Sequence, residues 1–210
     1  MMFEQGQKVV FIGDSITDCG RRDAEAPYGN GYVSIVRSFV TAGYPKLSLR
    51  WENRGVGGDT VRDLDARWEH DVIAERPDWL SVKIGINDVW RAFGTNAHEA
   101  VPIAEYEETY RRLLRRAVDE TGCRLIVAEP YVIEPDRADP MRVQMDAFGR
   151  VARKLAIEFG AVNIHTQEAF DGVLTTTSPH DWADDRVHPS QPGHAVIAIA
   201  FLKALGFELG

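Results

Sequence analysis

Cysteine is scarce in this chain of 210 residues, occurring at Cys19 and Cys123. Two thiols are too few for a disulfide framework or a thiolate zinc site. Both are expected to be reduced, and whether they meet is left open. Long apolar runs are also missing. No stretch approaches the roughly 18 apolar residues of a membrane-spanning helix. The opening MMFEQGQKVV carries Glu4 and Lys8 and has no signal-peptide core. A soluble, cytoplasmic protein with no membrane partner is the expectation. Basic charge is in deficit, with 24 Lys and Arg against 32 Asp and Glu and a net charge of −8, which argues against nucleic acid as a partner. The densest basic cluster, Arg111, Arg112, Arg115 and Arg116, is interleaved with acidic residues and reads as a solvated helix face. His70, His98, His165 and His180 show no metal-ligand spacing, so neither a metal nor a cofactor is expected.

Apolar content is ample, at 44% of the residues. Without repeats or a Pro/Ser-rich linker, this predicts one domain spanning residues 1–210. Short apolar runs that end in glycine or a polar turn recur: Val9–Ile12, Leu47–Gly55, Trp79–Gly85, RLIVAEP and AVNIH. Between them lie helical periodicities. One is Tyr32–Ala42; others run from Thr60 to about Arg76, from Ile103 to about Glu120, from Asp139 to Phe159 and from Pro192 to Leu205. Strands alternating with helices predict a three-layer α/β/α sandwich around a mainly parallel sheet of about five strands. In such sheets, ligands bind beyond the carboxyl ends of the strands.

Those ends carry coherent chemistry. The first strand delivers Asp14-Ser15, the second Gly55-Val56-Gly57-Gly58-Asp59, and the third Gly85 with Asn87-Asp88. DDRVHPSQPGH, Asp184 to His194, precedes the last helix. A serine hydroxyl needs a base, and histidine with a carboxylate on its other ring nitrogen supplies one. Asp185 and His188 are three apart, and Pro189 biases the histidine away from helical geometry. A developing oxyanion needs preorganised donors. The Ser15 N–H, an N–H of the glycine loop and the Asn87 amide are available. Each residue also has an ordinary reading. Serine at such a turn caps a helix, asparagine fills turns, and the Asp14 and Asp18 carboxylates organise the turn. Asp59 and Asp88 are expected to hold the neighbouring loops by accepting backbone N–H bonds. His194, opening an apolar helix, reads as structural.

FIGDSITD, NRGVGGDTVRDL, IGINDVW and DRVHPSQPGH, in this order and spacing, resemble the four blocks of the SGNH hydrolases, the GDSL esterase/lipase superfamily. The resemblance spans nearly the whole chain and implies a flavodoxin-like SGNH-hydrolase fold. It makes Ser15 the nucleophile, His188 the base and Asp185 the orienting acid. Gly58, with Gly57 its neighbour, and Asn87 join Ser15 as oxyanion donors. The Gly-x-Ser-x-Gly elbow of α/β-hydrolases is absent, because Thr17 stands at its second glycine. GGDTVRDLDARWEHDVIAERPDW, IGINDVWR and DPMRVQMD further resemble the intracellular acetylxylan esterases. That similarity implies a homo-oligomer acting on acetylated xylo-oligosaccharides. Trp90, Tyr131 and Trp182 are candidates for stacking on a sugar, with plain packing the competing role. The rival functions are a short-chain lipid esterase, lysophospholipase or thioesterase, and, in a different class, a non-catalytic sugar-binding protein.

Overall fold

The computed structural model describes residues 1–208. Its core is a five-stranded, all-parallel sheet in the order β2-β1-β3-β4-β5. The strands are β1 (Lys8–Gly13), β2 (Arg50–Gly55), β3 (Trp79–Lys83), β4 (Arg124–Ala128) and β5 (Val162–Ile164). Eight α-helices accompany them: α1 (Ser15–Asp18), α2 (Tyr32–Gly43), α3 (Val61–Trp68), α4 (Ile86–Trp90), α5 (Ile103–Thr121), α6 (Pro140–Glu158), α7 (Thr166–Val173) and α8 (Gln191–Ala204). Helices α2, α7 and α8 pack together, as do α3, α5 and α6, which gives the three layers expected from strand–helix alternation.

The unbroken apolar runs follow from this burial. Val9 to Ile12 on β1 and Leu80 and Val82 on β3 have no exposed surface, as central parallel strands covered on both faces require. The strand order is that of flavodoxin-like sheets, and its direction reverses between β1 and β3. The two loops that leave β1 and β3 therefore diverge and open a crevice, with Ser15 opening α1 on one side and Asn87 in the first turn of α4 on the other.

Two boundaries differ by several residues from the sequence expectation, and helix α7 was not among the expected helices. β2 starts at Arg50, because Pro45–Leu47 forms a 3-10 turn that ends on left-handed Ser48 (φ 48°). The helix expected to reach Arg76 is regular α only to Trp68, then widens into a π turn at Glu69–Ile73. Helix α7, with Ala169, Phe170 and Val173 toward the interior, is too short for its periodicity to stand out from the adjoining threonine-rich stretch. Helix α6 matches the expected span to within a residue at each end. Asp139 accepts the Met141 and Arg142 N–H groups at 2.9 and 3.0 Å, and Pro140 occupies the first helical position.

Candidate active site

β1 ends at Gly13, and Asp14 caps the single-turn helix α1 by accepting the Ile16 N–H at 2.9 Å. This frees Ser15, the first helical residue, from the capping role that its position allowed. Its Oγ lies 2.9 Å from His188 Nε2, and His188 Nδ1 lies 2.7 Å from Asp185 Oδ2. The carboxylate fixes the proton on Nδ1 and leaves the Nε2 lone pair for the serine hydroxyl. Asp185 Oδ1 accepts the backbone N–H groups of Val187 at 2.9 Å and His188 at 2.7 Å. Burial alone raises the Asp185 pKa, but these bonds and the imidazole outweigh it and hold the carboxyl below its ordinary value.

A left-handed residue inside the bend, Arg186 (φ 66°), permits this wrap of one carboxylate around its own loop. The loop is anchored from outside. Ile133 N–H donates to Arg186 O at 2.9 Å, Arg186 pairs with Glu134 and Asp139, and the Tyr131 hydroxyl donates to Val187 O at 3.2 Å.

Opposite the serine lies the glycine loop. Asp18 Oδ2 accepts the Gly57 N–H at 3.1 Å, so that donor is committed. Gly58, at φ 86°, turns its N–H to no acceptor among the described residues. The Ser15 N–H is equally free among the described residues. Asn87 donates one amide hydrogen to Asp59 O at 2.9 Å, which orients the side chain and leaves its second hydrogen available. Asp88 accepts the Val61 N–H at 3.0 Å, as expected. Asp59 behaves differently from expectation, because its carboxylate meets the Arg67 guanidinium at 2.7 Å. Arg67 also donates to Gly13 O and Arg54 O, tying the ends of β1 and β2 to the loop that follows β2.

The aromatic candidates separate. Trp90 is partly exposed and sets its ring at 69° to the His188 ring, with centroids 5.6 Å apart. Trp182 donates its indole N–H to Thr177 Oγ1 at 2.8 Å and is partly exposed. Tyr131 is fully buried against Phe170, so of its two candidate roles the geometry favours packing over sugar stacking: its hydroxyl supports the histidine loop. His194 is structural. Its Nδ1 accepts the Tyr32 N–H at 3.2 Å, its Nε2 faces Cys19 Sγ at 3.2 Å, and burial lowers its pKa to about 4. Cys19 and Cys123 are both free thiols.

The sequence reading passed over one pair of groups. Lys83 and Asp14 are wholly buried beneath the serine turn, and Lys83 Nζ lies 4.5 Å from the centre of the Tyr131 ring. Burial drives their pKa values in opposite directions, Asp14 up and Lys83 down, and their mutual attraction opposes both shifts. The signal was visible as a lone lysine inside the apolar run WLSVKIG.

A family model described as GDSL-like lipase/acylhydrolase matches residues 11–196. An acetylxylan esterase from Geobacillus stearothermophilus is 46% identical, with 99% of this chain and 98% of that protein covered. Its crystal structure superposes with a TM-score of 0.95 over the same shares of the two chains. Forms of that enzyme described as catalytic mutants carry alanine in place of a serine, an aspartate and a histidine, the last two being three residues apart. A hydrolase from the metagenome of Lake Arreo, Spain, is 41% identical over the whole of both chains, also with a TM-score of 0.95. With the match to the family model covering all four strand-end segments, the chain belongs to the GDSL-like lipase/acylhydrolase family.

Proposed function

We propose that the protein is a serine esterase that removes acetyl groups from O-acetylated carbohydrates, xylo-oligosaccharides foremost, through an acyl-enzyme. The observation that carries this reading is the unbroken relay from Ser15 Oγ through His188 to Asp185, at 2.9 and 2.7 Å, facing the uncommitted Gly58 N–H. His188 Nε2 takes the Ser15 proton as Oγ attacks the acetyl carbonyl. The N–H groups of Ser15 and Gly58 and the Asn87 amide receive the oxyanion. His188 then protonates the departing sugar oxygen, leaving acetyl-Ser15. Water attacks the acetyl carbonyl with His188 again as base, which releases acetate and restores the hydroxyl.

The full-length similarity to an acetylxylan esterase supports the substrate class. Trp90, beside the imidazole, is the aromatic best placed to meet a sugar ring. The reading includes a homo-oligomer in the cytoplasm, a reducing setting with which the free thiols Cys19 and Cys123 are compatible. No helix among the described residues is long and apolar enough to cross a membrane.

Acetate release from acetylated xylo-oligosaccharides, compared with aryl esters of increasing acyl length, tests the reading. Hydrolysis should fall steeply beyond about four acyl carbons, because a small acyl pocket cannot accept more. Ser15→Ala should abolish it. A preference for long acyl chains overturns the substrate class, and an active Ser15→Ala variant overturns the nucleophile.

A further inference from the structure

We infer that Arg91 is a positioning residue for the oxyanion donor, clamping Gly58 through its carbonyl. This rests on the esterase reading above and assigns one more residue to the same site. Gly58 must present its N–H in one direction, yet glycine, here at φ 86°, has no Cβ to restrict its rotation. Something outside the loop has to remove that freedom. Helix α4 and the residue after it provide three successive holds. Arg91 Nη2 donates to Gly58 O at 2.6 Å, Asn87 Nδ2 donates to Asp59 O at 2.9 Å, and Asp88 Oδ1 accepts from Val61 N at 3.0 Å. The two adjacent carbonyls, of Gly58 and Asp59, are thereby pinned from the same side, which fixes the backbone rotation about both residues. A single helical turn thus sets the oxyanion loop into register with the serine turn.

Arg91 is itself held. Its Nη1 lies 3.1 Å from Glu99 Oε2. Glu99 belongs to the segment 91–101, which returns to α4 through the Val101 N–H bond to Asp88 O at 3.1 Å. The guanidinium bridges that segment to the glycine loop, with one face on each. Its charge also lies on the loop that receives the oxyanion. A lysine would offer a single point charge, whereas the planar fork satisfies Gly58 and Glu99 together.

The test compares Arg91→Met, Arg91→Lys and Glu99→Gln with wild type and Ser15→Ala, using an aryl acetate as substrate and methylboronic acid as a mimic of the tetrahedral adduct. Misplacing a donor by about an ångström costs on the order of a hundredfold. Arg91→Met should therefore lose about ten- to hundredfold in kcat with KM changed less than about threefold. Its affinity for the boronate should fall in the same proportion, because both depend on the donor that the clamp aims. Arg91→Lys should recover little. If Arg91→Met does not fold, Glu99→Gln keeps the proposal testable, with a loss of about three- to tenfold in kcat, again mirrored by the boronate. The proposal is overturned if kcat stays within about twofold, if KM alone rises, or if boronate affinity is unchanged while kcat falls. An inactive wild type, or an active Ser15→Ala, overturns instead the esterase reading on which it stands.

Discussion

Asp185→Asn is the most informative single change, because the three bonds of that carboxylate make its consequence calculable. The substitution keeps size and removes only charge and one acceptor. If the asparagine oxygen stays on the Val187 and His188 N–H groups, its NH2 faces His188 Nδ1. The imidazole must then present a lone pair there, which places its proton on Nε2, toward Ser15 Oγ. In that tautomer it cannot accept the serine proton. The flipped amide would restore the tautomer, but it sets NH2 against two backbone N–H groups. In the variant these two bonds are neutral, and since the flip also sets donor against donor, each bond lost is taken at the upper end for neutral groups, about 1.5 kcal/mol. The flip then costs about 3 kcal/mol and is populated in roughly one molecule in 150. The kcat for aryl acetate hydrolysis at neutral pH should fall by at least about a hundredfold. Loss of imidazolium stabilisation adds to this, toward the roughly ten-thousandfold seen when a triad carboxylate becomes an amide. KM should hold, and the circular dichroism spectrum should be that of wild type. A variant retaining more than about a tenth of wild-type kcat would refute the tautomer argument.

Three other perturbations read the scaffold beneath the site. Lys83→Met leaves the buried Asp14 without its facing charge and should lower stability by about 3–5 kcal/mol, whereas Lys83→Met combined with Asp14→Asn should be less destabilised than Lys83→Met alone; urea unfolding of the set decides, and additive losses count against an interacting pair. Asp88 is pushed up to about 7 by burial, with the Val61 N–H bond opposing. A raised folded-state pKa means that the fold holds a proton which the unfolded chain releases, so this group's contribution is lost as pH rises from about 4 through about 7. Asp88→Asn should flatten that decline, and stability profiles that run parallel from acid to alkaline pH would contradict it. In Gly55→Ala the new Cβ would sit 2.3 Å from Asp18 N and 2.6 Å from Thr17 C. Since α1 must move, a stability loss of about 1–3 kcal/mol, or about 3–10 °C in Tm for a chain of this size, should accompany reduced kcat, and an unchanged Tm would show that the helix gives way freely.

Legibility in the sequence tracked how local each cause was. Helix starts such as that at Pro140, and buried strands such as Val9–Ile12, are dictated by neighbours in the chain and were readable. The Asp185–His188 contact was readable for the same reason, because both partners lie in one bend. What distinguishes Gly57 from Gly58 is Asp18, which takes the Gly57 N–H; it is near neither of them in sequence and meets the loop only once β1 and β2 are paired. The two readings of Tyr131 stayed open in the sequence because its place after a strand end says nothing about which way the ring turns. Asp59 misled because its partner Arg67 sits two helical turns away, on the face that packs back against the sheet. Lys83 was hidden in plain view: an apolar strand pattern tolerates a single charge without changing period, and its opposite number, Asp14, lies just past the end of a different strand.

The chain contains two pairs of nucleophile and imidazole, Ser15 with His188 at 2.9 Å and Cys19 with His194 at 3.2 Å. By distance alone the second resembles a cysteine hydrolase, and it sits one helical turn behind the first. What separates them is the far side of each ring. A carboxylate behind His188 turns its near nitrogen into a proton acceptor, whereas a backbone N–H behind His194 claims the lone pair and turns the near nitrogen into a donor. The thiol, its pKa pushed up to about 12 by burial and nearby carboxylates, keeps its hydrogen on Ile16 O. Serine-directed phosphonates should therefore inactivate this enzyme while iodoacetamide leaves it working. The molecule thus carries its own control for the difference between a poised nucleophile and a sleeping one.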